Sequence, residues 1–160
     1  MTLDELNGLT ASDAEAEFRR CCGSRRWARL MSLERPFAGV DVLAAVAQRL
    51  WWSLGAADWL EAFAAHPRIG ERATSGWSAE EQSAAAAATE NIQAALARRN
   101  QEYEHRFGYT FLVSATEKSA DEILLILDTR LGNEPAAELQ IAADQQHEIT
   151  GLRLRRLVSS

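Results

Sequence analysis

Cysteine is scarce in this 160-residue sequence, which contains only Cys21 and Cys22, and the two are adjacent. Neighbouring cysteines rarely pair with each other, so the chain offers no disulfide framework and a reducing compartment is expected. We expect both thiols to be buried as small apolar side chains. The three histidines lie far apart, at positions 66, 105 and 147, and lack the spacing of metal ligands. No metal site is predicted.

Positive charge is also in deficit, because 17 Lys and Arg stand against 23 Asp and Glu, a formal net charge of −6. Nucleic acid binding needs a basic face, so nucleic acid is not expected as a partner. No apolar run approaches the roughly 20 residues that span a bilayer. Neither a signal peptide nor a peroxisomal address is recognisable. We therefore expect a cytoplasmic protein that binds no membrane, while an anionic small molecule stays possible as a ligand.

Nucleotide-binding and hydrolase motifs are missing as well. The sequence contains no Gly-x-x-x-x-Gly-Lys, no Gly-x-Gly-x-x-Gly and no Gly-x-Ser-x-Gly. No nucleotide cofactor is signalled. What the chain does have is a hydrophobic content of 47% in 160 residues. That combination is typical of one soluble domain, here residues 1–160, with a substantial core.

Helix signals recur along nearly the whole chain. Capping-box spacing at Thr2 with Glu5 and at Ser12 with Glu15 predicts the first two helices. The later helices are predicted to begin near Ser24, Asp41, Asp58, Ser78, Ser119 and Asn133, and to end before or near Pro36, Gly55, His66, Gly108, Leu131 and Val158. The stretch 109–114 is predicted to be extended, and it is too short and isolated to build a sheet. The prediction is a single all-α domain of about eight helices.

The segment His66-Pro67-Arg68-Ile69-Gly70 carries the strongest chemical signal. A proline directly after His66 forbids the preceding helix from continuing and places an imidazole at its C-terminus. The negative end of the helix dipole favours a protonated imidazole, which could donate a proton near neutral pH. The alternative is a histidine that only hydrogen-bonds the last carbonyl groups of the helix.

A second polar cluster, Ser78-Ala79-Glu80-Glu81-Gln82, follows shortly after. Ser78 and Glu81 have capping-box spacing, so they could merely close their own helix. A helix N-terminus, however, also stabilises a carboxylate and offers N–H groups to a ligand oxygen. Gln82 adds a donor and an acceptor that suit an amide or ureido group. We predict that His66 and Glu81 form an acid–base pair.

One arginine near the end of the chain is a further candidate. Arg153 lies between two leucines, close to Arg155 and Arg156. Arginines on a terminal helix are usually solvated. An arginine flanked by leucines could instead reach inward.

Landmarks along almost the whole length resemble those of the 2-oxo-4-hydroxy-4-carboxy-5-ureidoimidazoline (OHCU) decarboxylases of urate breakdown. Their order and spacing carry the resemblance. The landmarks are Cys22-Gly23-Ser24-Arg25-Arg26-Trp27, Arg35-Pro36-Phe37, Ala65 to Gly70, Ser78 with Glu81 and Gln82, Tyr103 to Val113, Arg130-Leu131 with Asn133 and Glu138, and Ile149 to Leu154.

The resemblance implies an all-helical, cofactor-free homodimer that converts OHCU to (S)-allantoin. It makes His66 the catalytic histidine and Glu81 its carboxylate partner, and it assigns no role to Arg68. The implied substrate-binding residues are Pro67, Ser78, Gln82, Phe111, Leu112, Val113 and Arg153. Clamping the departing carboxylate would stabilise the ground state and slow the reaction. We therefore expect Arg153 to bind a ring or ureido oxygen.

Two other interpretations fit the same residues. In the first, the chain is an all-α interaction module, and His66 and Glu81 are ordinary helix caps whose side chains diverge. In the second, it is a different cofactor-free lyase or hydrolase that acts on a related ureide.

Overall fold

The structure is a computed structural model and describes residues 1–69 and 90–159. Every regular element in these residues is an α-helix, which confirms the all-α prediction. The eight helices of the described residues are α1 (Leu3–Gly8), α2 (Ala11–Cys21), α3 (Arg25–Leu33), α4 (Val40–Ser53), α5 (Ala56–Ala64), α6 (Glu90–Phe107), α7 (Ala120–Leu131) and α8 (Pro135–Val158). None of them combines the length and apolar content that crossing a membrane requires.

The chain divides into two compact units, which are described separately. Unit 1 comprises Met1–Ala65 and His147–Ser160, and unit 2 comprises His66–Gln146. That residues 1–160 form one domain stays a prediction.

Three of the described helices begin at side-chain caps that the sequence predicted. Thr2 forms a complete capping box with Glu5, and Ser24 and Ser119 accept hydrogen bonds from the third residue beyond them. The prediction that Ser12 caps α2 was wrong. The hydroxyl of Thr10 accepts from the Asp13 N–H at 3.1 Å and starts the helix two residues earlier than Ser12 would allow.

Helix α4 ends directly before Gly55, as predicted. Its C-cap is Leu54, whose N–H bonds to the carbonyl of Trp51, and Gly55 is the N-cap of the next helix. Helix α5 therefore begins at Ala56, two residues before the predicted Asp58. Gly108 ends α6 as predicted, with a φ of +84° that favours glycine.

The core of unit 1 is built around aromatic side chains on its helices. Phe18 packs edge-on against Trp27 and Phe37, with ring centroids 6.0 and 6.2 Å apart. Trp27 is fully buried, and its indole N–H donates to the Ala47 carbonyl at 3.2 Å. Because each aromatic ring buries a large apolar area, these contacts fix how α2, α3 and α4 pack.

The core of unit 2 joins α6, α7 and the chain between them. Leu96, Tyr103, Ile123 and Leu127 are fully buried there. Residues 110–115 follow the turn at Gly108 and form neither helix nor strand, although 111–115 are buried. The stretch therefore builds no sheet, as predicted, and its extended conformation stays a prediction.

A close backbone approach in unit 1 depends on glycine at position 23. A Cβ atom added there would lie 2.5 Å from the Ala65 Cβ and 3.6 Å from the Ala62 backbone. Neither neighbour is the flexible end of a long side chain, so the backbone would have to move. The loop after α2 and the end of α5 can approach this closely only because residue 23 has no side chain.

Gly23→Ala is therefore expected to lower the free energy of unfolding by about 1–3 kcal/mol, the usual cost of overpacking. Urea denaturation monitored by circular dichroism measures the loss. Gly8→Ala is the matched control, because a Cβ at Gly8 meets nothing within 4 Å. An equal stability for Gly23→Ala and wild type would contradict the close approach.

Candidate active site

His66 lies one residue beyond Ala65, the C-cap of α5, and its side chain is half-buried. Its Nε2 atom is 2.7 Å from Oε1 of Gln146, a side chain that is completely buried. The imidazole is therefore held by a side chain 80 positions away in sequence. A ring that is fixed in this way and only half-buried has the properties of an acid–base group.

The residues after His66 form hydrogen bonds with side chains of α6 in the same unit. The Arg68 guanidinium makes two hydrogen bonds to the Glu104 carboxylate, at 2.6 and 2.9 Å. Ile69 is buried in the core of unit 2, and its carbonyl accepts from the Asn100 side chain at 3.3 Å. Arg68, to which the sequence assigned no role, thus has a structural partner. These contacts limit how far the backbone at His66 can move.

Phe111, Leu112 and Val113, the predicted backbone site, are each less than 5% exposed. Buried backbone outside helices and sheets needs other hydrogen-bond partners. Here the Leu112 carbonyl accepts from the Arg130 guanidinium, and the Ser114 N–H donates to Oε1 of Gln145 at 2.8 Å. Side chains from α7 and α8 therefore determine the conformation of this segment.

A buried ion pair between Arg130 and Glu138 lies behind that segment. Nε and Nη2 of Arg130 donate to the Glu138 carboxylate at 2.9 and 2.6 Å. Tyr103 and Asn133 donate to the same carboxylate. The guanidinium also lies 4.6 Å above the centroid of the Phe111 ring. One arginine therefore contacts both the side chain and the backbone of the predicted substrate-binding stretch.

Tyr103 is part of this network as a neutral donor. Burial, and the hydrogen bond to Glu138, hold the pKa of the Tyr103 hydroxyl well above its usual range. The phenol keeps its proton over the whole physiological pH range as a result.

Two adjacent glutamines on α8 contact parts of the candidate site that are far apart in sequence. Gln146 contacts His66, and Gln145 accepts from the N–H of Ser114. Consecutive Cα atoms are about 3.8 Å apart, so the two anchors are immediate neighbours. Neither residue is predicted from the sequence, because a glutamine within a helix resembles an ordinary solvated side chain.

Arg153 of unit 1 points inward, as its leucine neighbours allowed. It is 8% exposed, and its Nη1 lies 3.5 Å from the Arg20 carbonyl oxygen. Arg155 on the same helix is exposed.

Cys21 and Cys22 are unpaired and buried, as predicted, and the charge of Arg153 acts on both thiols. Burial raises the pKa of each thiol to about 12, and Arg153 offsets only part of that rise.

Several predicted residues lie outside the described part of the chain. Ser78, Glu81 and Gln82 fall between residues 69 and 90, so the pairing of His66 with Glu81 stays a prediction. Pro67 is described and is half-buried. Within residues 1–69 and 90–159, no group of three or more His, Cys, Asp or Glu side chains could hold a metal ion.

Comparison with known proteins places these features in a family. The model of the OHCU decarboxylase family matches residues 7–155. The 2-oxo-4-hydroxy-4-carboxy-5-ureidoimidazoline decarboxylase of Haloferax volcanii is 29% identical over 100% of this chain and 98% of its own length. The uric acid degradation bifunctional protein TTL of Arabidopsis thaliana is 36% identical over 91% of this chain. The chain spans 47% of that relative's length.

Solved structures agree. An OHCU decarboxylase crystallised in the presence of (S)-allantoin superposes with a TM-score of 0.83 at 35% identity, over 90% of this chain and 98% of the other. A structure of (S)-allantoin synthase matches with a TM-score of 0.78 at 17% identity, over 100% of this chain and 54% of that one, and shows the fold alone. Fold and sequence together define an all-helical carboxy-lyase. The chain belongs to the OHCU decarboxylase family.

Removing the charge of Glu138 should destabilise the protein strongly. Glu138→Gln leaves the Arg130 guanidinium buried without a carboxylate, which typically costs about 3–5 kcal/mol. Urea denaturation at neutral pH measures the loss. Asp128→Asn is the control, because Asp128 pairs with Arg99 at the surface, where an ion pair contributes little. Similar losses for the two variants would contradict the importance of the buried pair.

The buried thiols predict a fall in stability at alkaline pH. The folded pKa of about 12 lies above the ordinary value of 9.0, so the thiols ionise first in the unfolded chain. Their contribution is fully present below pH 9 and declines as the pH rises towards 12, by up to about 1.4 kcal/mol per pH unit for each thiol. The double variant Cys21→Ala, Cys22→Ala should show a shallower decline in urea denaturation between pH 8 and 10.5. Parallel pH profiles would be inconsistent with raised thiol pKa values.

Proposed function

We propose that this protein converts OHCU to (S)-allantoin without a cofactor, as the last step of urate breakdown to allantoin. The observation that carries the proposal is His66, a half-buried imidazole fixed by Gln146 in a segment fastened at Arg68 and Ile69. The relative from Haloferax volcanii, which matches over nearly its whole length, is named for this decarboxylation.

The chemistry needs little beyond positioned side chains. When the bond to the carboxylate breaks, CO2 leaves and its bonding electron pair moves into the neighbouring C=N of the ring. The substrate therefore supplies its own electron sink. A proton delivered to one face of the ring carbon then creates the (S) centre. The protein has to orient the carboxylate, stabilise the developing charge and place one proton.

His66 is the proposed proton-transfer group, with Glu81 as its carboxylate partner. A carboxylate near an imidazole favours the protonated ring. Ser78, Gln82 and Pro67 are proposed to bind the ring and ureido groups. In the stretch from Phe111 to Val113, the Leu112 carbonyl is already engaged by Arg130, so we assign the backbone N–H groups to the substrate.

Arg153 is proposed to bind a ring or ureido oxygen. An arginine bound to the leaving carboxylate would hold the charge that the reaction must lose, which would raise the barrier. An arginine bound to an oxygen that gains charge as the electron pair moves into the ring lowers it instead. We also propose that the protein is a cytoplasmic homodimer.

His66→Asn tests the proposal directly. General acid–base catalysis contributes on the order of 10²–10⁴ in rate, so kcat should fall by that factor while KM changes little. The assay follows freshly generated OHCU by absorbance and the handedness of the allantoin by circular dichroism. His105→Asn is the matched control, because His105 is an exposed histidine on α6. It should retain wild-type kcat.

The alternatives predict other results. An interaction module would give no acceleration over spontaneous decay and racemic allantoin. A lyase or hydrolase for a related ureide would leave OHCU untouched and turn over that ureide. A near-normal kcat for His66→Asn would remove the histidine from the mechanism.

A further inference from the structure

Gln146 stands out among the polar residues of unit 2 that the proposed mechanism does not use. Its side chain is completely buried, and its Oε1 faces Nε2 of His66 at 2.7 Å. That separation is short for an N–H···O hydrogen bond, whose usual length is about 2.9–3.0 Å. A buried amide that is this close to an imidazole influences which ring nitrogen carries the hydrogen.

We propose that Gln146 is a positioning residue that holds His66 as the tautomer protonated on Nε2. The inference depends on the proposed function, in which His66 transfers the proton. An amide oxygen can only accept a hydrogen bond, so the ring nitrogen that faces it has to carry the hydrogen. In a neutral histidine the other nitrogen is then unprotonated. In the protonated ring both nitrogens carry hydrogen. The imidazolium then gives its Nδ1 proton to the substrate carbon, which leaves the neutral ring protonated on Nε2, and Nδ1 regains a proton before the next turnover.

Gln146 lies on a helix that also positions the predicted backbone site. Its neighbour Gln145 accepts from the N–H of Ser114, at the end of the predicted backbone site. Glu138, two turns earlier on α8, holds Arg130 and through it the Leu112 carbonyl. Since α8 is one continuous helix, the ring of His66 and the 111–114 backbone are both positioned from it.

This assignment changes the task of Glu81. The sequence suggested that Glu81 fixes the tautomer of His66. If Gln146 already binds Nε2, a carboxylate fixed on Nδ1 would occupy the nitrogen that exchanges the proton. We therefore assign the orientation of the ring to Gln146, and to Glu81 the electrostatic stabilisation of its protonated form.

The tautomer can be measured without substrate, by ¹⁵N NMR of the histidine ring in the full-length protein at a pH where the ring is neutral. The signals of His66 are identified by their loss in His66→Asn. We expect Nε2 to show the shift of a protonated nitrogen and Nδ1 that of an unprotonated one. The opposite pattern in the wild-type protein would overturn the inference, whatever the enzymatic activity.

Variants at position 146 supply the kinetic test. Gln146→Leu removes the acceptor, so the two tautomers should mix and kcat should fall about tenfold, the effect of one lost buried hydrogen bond. KM should change by less than about twofold. Gln146→Glu retains an acceptor oxygen of nearly the same shape and should keep the Nε2 proton. Gln140→Leu, at an exposed position of α8, is the control and should leave both readouts unchanged.

The two proposals fail in different ways. If His66→Asn retains its activity, the proposed function is wrong, while the NMR result still decides the tautomer. If His66→Asn is inactive but Gln146→Leu keeps both the wild-type kcat and the wild-type ring shifts, only the role of Gln146 is disproved. If Gln146→Leu does not fold, the ring shifts of the wild type and of Gln146→Glu still decide the question.

Discussion

The buried ion pair between Arg130 and Glu138 is the interaction on which unit 2 depends. Arg130 is 5% exposed and Glu138 is fully buried, so neither charge can be stabilised by water. An unpaired charge in such a place is strongly unfavourable, and it is tolerated only when its hydrogen-bonding capacity is used. Glu138 meets that condition through Arg130, Tyr103 and Asn133. Helices α6, α7 and α8 must therefore adopt an arrangement that brings all four groups together.

The same pair explains how irregular backbone can lie in a core. Residues 111–115 are buried without the regular hydrogen bonds of a helix or sheet. The Leu112 carbonyl is satisfied by Arg130, and the N–H of Ser114 is satisfied by Gln145. A segment held by side chains retains other backbone groups that can bind a ligand. That property suits a site for a small, flat, highly polar molecule better than a strand would, because ladder partners would engage those groups.

The sequence predicts those features of the structure that depend on residues close together in the chain. Caps such as Ser24 and Ser119 act on residues three positions away, and both helix starts were found for that reason. The error at Ser12 was also local, because Thr10 offers an equivalent hydroxyl two residues earlier. The position of His66 at the end of a helix was predicted because a proline follows it.

The contacts that complete the site are not local. Gln146 meets His66 across 80 positions, and nothing about a glutamine in a helix reveals a buried partner. Arg130 and Glu138 were noticed only as landmarks of a resemblance, since they lie on different helices and share no helical face. The inward direction of Arg153 stayed open in the sequence, because one leucine on either side fits both a buried and a solvated arginine.

The choice of an amide to hold His66 has a chemical consequence. A carboxylate at the same place would orient the ring and also add a negative charge, so orientation and proton affinity would change together. A glutamine orients the ring through a neutral oxygen and leaves the proton affinity to be set by other groups. Separating the two tasks matters for the proposed reaction, in which the ring releases a proton to carbon and then regains one. Orientation has to be constant through both steps, whereas the charge next to the ring has to favour the protonated form only before the transfer.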